Sequence, residues 1–199
     1  MKKSRRTSEQ LARNLAGFEG DFYIGEEIKK LVQKFQINTI IETGTFLGGT
    51  TKKLAELAEK VYTIEVDTEN IPEAKEFLKD CYNTTVIEGS SPEVIRDLLK
   101  LDHGNLLFFL DAHSHIYTPL LDELAVIAEA NIKPVIAIHD WKVPNQPDLG
   151  YDSYNGQDYT FEWIQLSIEA IYGDNYAYYY NDKAEGAKRG VIYIHSITQ

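Results

Sequence analysis

The sequence predicts one α/β domain built on a mostly parallel sheet. Three observations carry this. Short apolar runs alternate with segments of helical hydrophobic spacing. One run, NLLFFLDA (105–112), is apolar throughout, as a strand covered on both faces should be. The chain then closes on two strand-like runs with no helical segment between them. A length of 199 residues suits one ordinary domain and is too short for two sizeable ones.

Taken in order, a helix is expected over about 22–36, with Ile24, Ile28, Leu31, Val32 and Phe35 on one face. The strand NTIIE (38–42) leads into a glycine turn and a helix near 48–60 carrying Leu54, Leu57 and Ala58. VYTIEV (61–66) is the second strand, followed by a helix over about 71–82, and TTVIEG (84–89) is the third. Pro92 suits the first turn of a short helix holding Val94, Ile95, Leu98 and Leu99. After the fourth strand, a helix near 118–130 repeats Leu120, Leu124, Ile127 and Ala128, and PVIAIHD (134–140) is the fifth strand. A polar, aromatic loop fills 142–159, and the next helix carries Phe161, Ile164, Ile168 and Ile171. NYAYYYND and RGVIYIHS, joined by KAEGAK, read as a closing antiparallel pair. Residues 1–20 are expected as an N-terminal tail and 21–199 as the domain.

The hydrophobic share of 43% and charged share of 26% are those of a globular protein, and no apolar run nears the roughly 20 residues that span a bilayer. MKKSRRTSEQ lacks the apolar segment of a signal peptide, and the single Cys81 rules out an internal disulfide or a multi-cysteine zinc site. A cytoplasmic location is therefore expected, with no membrane partner. A net charge of −11 repels phosphate backbones, so nucleic acid is not an expected partner. The one basic cluster, Lys2, Lys3, Arg5 and Arg6, reads as a solvated tail. A small acceptor, neutral or cationic, is the better match. The N-terminal helix and the Tyr-rich final strands are a candidate homodimer surface.

In a parallel sheet, ligands bind beyond the C-terminal strand ends at the switch point. Gly44 and Gly48 stand there in a G-x-x-x-G spacing, which is not the G-x-G-x-x-G that cradles a diphosphate. Glu42 precedes the turn and would repel a diphosphate. Glu65 ends the second strand, where its carboxylate can accept hydrogen bonds from both hydroxyls of a ribose. These residues call for a nucleoside with a cationic tail. Close approach of a ligand to the backbone is the expected reason for both glycines, so Gly44→Val should spare the fold and abolish binding.

E-T-G-T-x-x-G-G-T, with an acid 23 residues after Glu42, resembles the cofactor site of class I S-adenosylmethionine-dependent methyltransferases. The resemblance runs from about residue 22 to the end and implies a Rossmann-like, seven-stranded, mostly parallel sheet with helices on both faces. It implies that Gly44 and Gly48 admit the cofactor, and that Glu42 meets its amine directly or through water. Thr45 and Thr50 would add hydroxyls near its carboxylate, and Glu65 would hold the ribose. Ser90 and Ser91 follow the third strand, where the family contacts adenine; Ser91 equally suits the N-cap of the next helix.

A second constellation joins FFLDAHSH to AIHDW across the fourth and fifth strand ends. Within the class it resembles the catechol O-methyltransferase-like and sugar O-methyltransferase-like members, whose acids at these ends bind a divalent metal. That resemblance puts Asp111, His139 and Asp140 on the ligand positions, His139 departing from the usual acid or amide. It implies Mg²⁺ or, with a histidine ligand, Mn²⁺. The lysine that some members use as base falls near Ser114, so His113 or His115 would take its place. A metal-free site using the same acids and histidines stands beside this reading, since the class commonly has an acid at the fourth strand end, here Asp111, that binds the cofactor or serves the acceptor without metal. Trp141, Tyr151, Tyr154 and Trp163 would cover the acceptor, or pack the loop. The expected activity is transfer of a methyl group to a small hydroxylated acceptor, of sugar or phenol type, with Asp111, His113, His139 and Asp140 as catalytic residues. A metal-dependent hydrolase or lyase, and a noncatalytic nucleoside-binding domain, are the alternatives on this fold.

Overall fold

The computed structural model describes residues 11–12, 15–114 and 117–197. The basic cluster at residues 2–6, and His115, lie outside the described residues. Seven strands form one sheet in the order β3-β2-β1-β4-β5-β9-β8. They are β1 (Thr39–Thr43), β2 (Lys60–Glu65), β3 (Thr84–Glu88), β4 (Leu106–Leu110), β5 (Val135–Ile138), β8 (Tyr176–Tyr180) and β9 (Ile192–Ser196). The first five are parallel, and β9 runs antiparallel to both β5 and β8. The strand order reverses between β1 and β4, which is the switch point.

The helices are α1 (Phe22–Phe35), α2 (Gly49–Ala55), α3 (Ile71–Phe77), α4 (Ser91–Leu98), α5 (Leu120–Glu129) and α6 (Phe161–Tyr172). Successive residues of β4 face opposite sides, and both sides are buried. Phe108 and Leu110 join a core with Leu124, Ile127, Ile164 and Ile168 from α5 and α6. Leu107 and Phe109 join the other core with Ile24, Ile28 and Leu31 of α1 and Leu54 of α2. An all-apolar strand is what such a two-sided burial requires. No helix among the described residues is long and apolar enough to cross a membrane.

Three local features differ from expectation. α2 and α3 stop near 55 and 77, well short of 60 and 82, because the chain turns back before the next strand. The bond from the Leu57 N–H to the Leu54 carbonyl and that from the Cys81 N–H to the Leu78 carbonyl close those turns. Phe18, which precedes the expected domain start, is buried edge-on against Phe109 in a short 3₁₀ turn, Phe18–Gly20. The loop at 142–159 contains a hairpin of two-residue strands, β6 (Ser153–Tyr154) and β7 (Gln157–Asp158). Asn155 and Gly156 turn it with φ of 54° and 80°, the pattern of a type I′ turn.

Candidate active site

The turn after β1 docks on the end of β2, where the Ile64 carbonyl accepts from the N–H groups of Gly44 and Thr45 at 2.9 and 3.1 Å. Gly44 has a φ of 84°, and a Cβ there would lie 2.6 Å from the Asp111 carbonyl oxygen. At Gly48, with a φ of 85°, a Cβ would lie 2.9 Å from the Leu78 side chain. Both glycines thus answer to the packing of the fold itself, whatever approaches from outside. The expectation that Gly44→Val spares the fold is corrected by that contact.

Behind the turn lies a closed polar network. Glu42 is 1% exposed and accepts hydrogen bonds from the hydroxyls of Thr51 and Thr63. Burial pushes its carboxyl up to about 8, against the opposing pull of those two bonds. The Thr45 hydroxyl pairs with that of Thr63 at 2.6 Å. Thr50 Oγ1 accepts the Phe18 N–H at 2.9 Å. Glu42, Thr45 and Thr50, expected around the methionine end of a cofactor, therefore all have partners inside the protein.

Glu65 occupies the expected place. It ends β2 and is 7% exposed; one carboxylate oxygen accepts the Phe46 N–H at 2.7 Å and the other the Asp67 N–H at 2.8 Å. Each oxygen has two lone pairs, so these bonds fix the carboxylate between turn and strand end without exhausting it. Beyond β3, Ser90 rather than Ser91 is the N-cap of α4, and it is exposed. Ser91 is the first helical residue, buried, and donates its hydroxyl to Glu123.

The second constellation assembles at the ends of β4 and β5. His139 Nδ1 lies 3.1 Å from Asp111 Oδ1 and 3.2 Å from Asp140 Oδ1. Burial disfavours its charged form, but the two carboxylates outweigh burial and hold it well above the usual histidine range. His113 Nε2 lies 3.3 Å from Asp140 Oδ2, and its Nδ1 lies 3.6 Å from Asp152 Oδ2. The bond to Asp140 raises His113 above its ordinary value against its partial burial. Asp140 sits at a φ of 60°, a conformation that non-glycine residues rarely hold. Burial would raise its carboxyl, yet His139, His113 and Arg189 hold it far below the usual range. His103 and His195 lie elsewhere, His103 bonding the Leu98 carbonyl and His195 packing at a tilt against Phe35.

Three residues of this site were not anticipated. Arg189 bonds Asp140 through Nε and Asp152 through Nη2. Asp152 in turn accepts the Tyr154 hydroxyl at 2.8 Å. Glu123, 1% exposed on α5, lines one small cavity with Asp111, His113, His139, Asp140 and Tyr159. Burial pushes its carboxyl up to about 7. A signal for Glu123 was present, since it stands at the core spacing of Leu120, Leu124 and Ile127. Of the aromatic residues expected over an acceptor, Trp141 is fully buried, Tyr154 is buried and Trp163 packs on the core beside them; Tyr151 is exposed.

The expected metal ligands do converge: single donor atoms of Asp111, His139 and Asp140 lie within 4.8 Å of one another, as do those of His113, Asp140 and Asp152. Their charge is already met, however. Arg189 holds a fixed positive charge between Asp140 and Asp152, His113 faces the second Asp140 oxygen, and His139 lies beside Asp111 Oδ1 and the Asp140 oxygen that Arg189 bonds. A divalent ion would have to displace that guanidinium. The residues as arranged do not fit the ion.

Solved structures share this fold. The O-methyltransferase TomG of Streptomyces achromogenes, in complex with S-adenosylmethionine, aligns with a TM-score of 0.63 over 87% of this chain and 79% of its own, at 15% identity. An O-methyltransferase of Bacillus cereus, in complex with S-adenosylhomocysteine, aligns at 0.63 over 94% and 86%, at 19% identity. The fold is that of the class I methyltransferases. An rRNA methylase of Streptococcus thermophilus shares this methyltransferase fold at a TM-score of 0.55 and 12% identity, over 87% of this chain and 95% of its own. No protein-family model matches the sequence. Ribosomal RNA small subunit methyltransferase A of Clostridioides difficile is 34% identical over 138 residues, 68% of this chain and 45% of its own length. That of Clostridium botulinum is 32% identical over 115 residues, 52% of this chain and 39% of its own. The chain spans less than half the length of these curated relatives.

Proposed function

We propose that this chain is an S-adenosylmethionine-dependent methyltransferase that methylates a hydroxyl of a small acceptor, of sugar or phenol type. The observation that carries the reading is Glu65, a carboxylate fixed at the end of β2 by the Phe46 N–H of the glycine turn. A carboxylate held there suits the vicinal hydroxyls of a ribose. When bound, S-adenosylmethionine supplies a methyl group activated by its sulfonium. Glu65 would hold the ribose, and the Gly44–Gly48 turn would face the methionine end. Glu42, buried behind that turn, would act by shaping it.

The acceptor chemistry falls to the β4–β5 edge. As the acceptor oxygen bonds the methyl carbon and the carbon–sulfur bond breaks, the hydroxyl proton must leave. His113 is the base in this reading: its Nε2–H faces Asp140, which orients the ring and raises its basicity. Its Nδ1, 3.6 Å from Asp152 and so outside hydrogen-bond range, would take the hydroxyl proton. Asp111 and His139 line the same cavity and would orient the acceptor. No step needs Mg²⁺ or Mn²⁺.

A second reading follows from the names of the curated relatives: methylation of ribosomal RNA. Against it stand the net charge of −11 and the partial span of those relatives. Incubation with methyl-labelled S-adenosylmethionine separates the two. Label entering a panel of sugars and phenols, and not small-subunit ribosomal RNA, supports the small acceptor; label in the RNA supports the second reading. A thermal shift with NAD and none with S-adenosylmethionine would reject both in favour of a different nucleoside-binding domain.

A further inference from the structure

We propose that Arg189 is a positioning residue that serves as the resident cation of the acceptor site, standing where a metal-assisted enzyme would place a divalent ion. The proposal rests on the acceptor site assigned above, but its test does not depend on the cofactor.

The guanidinium joins two carboxylates from opposite ends of one loop. Asp140 follows β5 and Asp152 precedes β6; the Asp152 N–H also donates to the Asp140 carbonyl at 2.9 Å. Nε takes Asp140 and Nη2 takes Asp152, the bidentate use for which a planar fork is suited and an ammonium is not. The backbone that carries Arg189 is pinned on both sides. The Gly150 N–H donates to the Lys188 carbonyl at 2.8 Å, the Gly190 N–H to the Gly150 carbonyl at 2.9 Å, and the Trp141 N–H to the Gly190 carbonyl at 2.8 Å. A Cβ on Gly190 would lie 2.0 Å from the Trp141 carbonyl oxygen, so only glycine allows this approach. The charge therefore arises from a fixed point beside the β5 end.

Its effect on the site is specific. Asp140 contributes to both groupings of metal-capable side chains, Asp111–His139–Asp140 and His113–Asp140–Asp152. One of its oxygens meets Arg189 and His139, and the other meets His113. Asp152 has one oxygen on Arg189 and the other on the Tyr154 hydroxyl. With Arg189 in place, both oxygens of Asp140, the carboxylate the two groupings share, and both oxygens of Asp152 already have partners. Without it, Asp140 and Asp152 each have an oxygen released from the guanidinium, and two such oxygens are donors a hard divalent ion takes.

The test is a Mn²⁺ titration of the full, chelator-treated chain, read from the electron paramagnetic resonance signal of free Mn²⁺. Wild type and Arg189→Lys should take up no stoichiometric Mn²⁺. Arg189→Met should gain one site at least about tenfold tighter than any in wild type, as expected when two carboxylates are released as ligands. A merely structural arginine would not yield a metal site on removal. Stoichiometric uptake by wild type that Asp140→Asn abolishes overturns the proposal, as does no gain in an Arg189→Met chain that circular dichroism shows to be folded. If Arg189→Met does not fold, the wild-type and Arg189→Lys titrations decide. Failure of the cofactor assignment would show separately, as absent S-adenosylhomocysteine binding to wild type.

Discussion

Gly44 and Glu42 are close in sequence and both serve the fold, by different physics. A side chain at Gly44 would meet backbone at 2.6 Å and adopt a φ of 84°, so Gly44→Val cannot relax by moving a flexible neighbour. The strained backbone alone costs on the order of 1–3 kcal/mol, before the clash. Thermal denaturation should show a clearly lowered midpoint; an unchanged midpoint with lost cofactor binding would restore the ligand-contact explanation. Glu42 carries a pH dependence instead. Its carboxyl rises from 4.5 unfolded to about 8 folded, so the folded chain favours the protonated form. The associated stability is fully present below about pH 4.5 and is lost as pH rises through about 8. Glu42→Gln removes that dependence. Urea titrations should therefore show wild type losing ground to Glu42→Gln between pH 5 and pH 8, by up to a few kcal/mol at about 1.4 kcal/mol per unit. A pH-independent difference would contradict a buried, protonated Glu42.

Among the elements, the strands were the most legible. β1, β4 and β5 are buried along their length and β2 over its last three residues, so each carries a short apolar run, unbroken in β4 and β5, that leads to Glu42, Glu65, Asp111 or His139–Asp140. That is why these site residues could be read at all: a strand end locates its acid. Arg189 and Asp152 have no such marker. Arg189 meets Asp140 and Asp152 at sequence separations of 49 and 37, and no local pattern encodes either pairing. The Asn155–Gly156 pair carries a hairpin signal in the sequence, but its two-residue strands are set among polar residues that read as plain loop. Aromatics in that loop were ambiguous between covering a ligand and packing, and burial of Trp141, Tyr154 and Tyr159 decides for packing. The loop is held at one end by Asp152. Asp152→Ala should increase proteolytic cleavage within 142–159 and lower turnover, with affinity for S-adenosylhomocysteine unchanged. Unaltered cleavage would show that the backbone bonds from Gly150 hold the loop unaided.

For the molecule as a whole, the reversal of strand order between β1 and β4 brings the two constellations onto one edge. The Gly44 turn touches the backbone of Asp111, which is within hydrogen-bonding reach of His139. The two constellations are thus neighbours by topology, from segments about 70 residues apart in the chain, as the proposed cofactor and acceptor sites require. The same edge sits on a protein of net charge −11, so weak association with RNA is expected at physiological salt. Filter binding of small-subunit ribosomal RNA measures this directly, and tight, salt-sensitive retention would contradict it. The central claim is that the end of β2 holds a nucleoside through Glu65. Isothermal titration of S-adenosylmethionine into wild type and Glu65→Ala tests it most directly. Saturable binding by wild type, weakened in the folded variant by about 1–3 kcal/mol for the lost charge-assisted hydrogen bonds, is the expected result; equal affinity in the two proteins would contradict it.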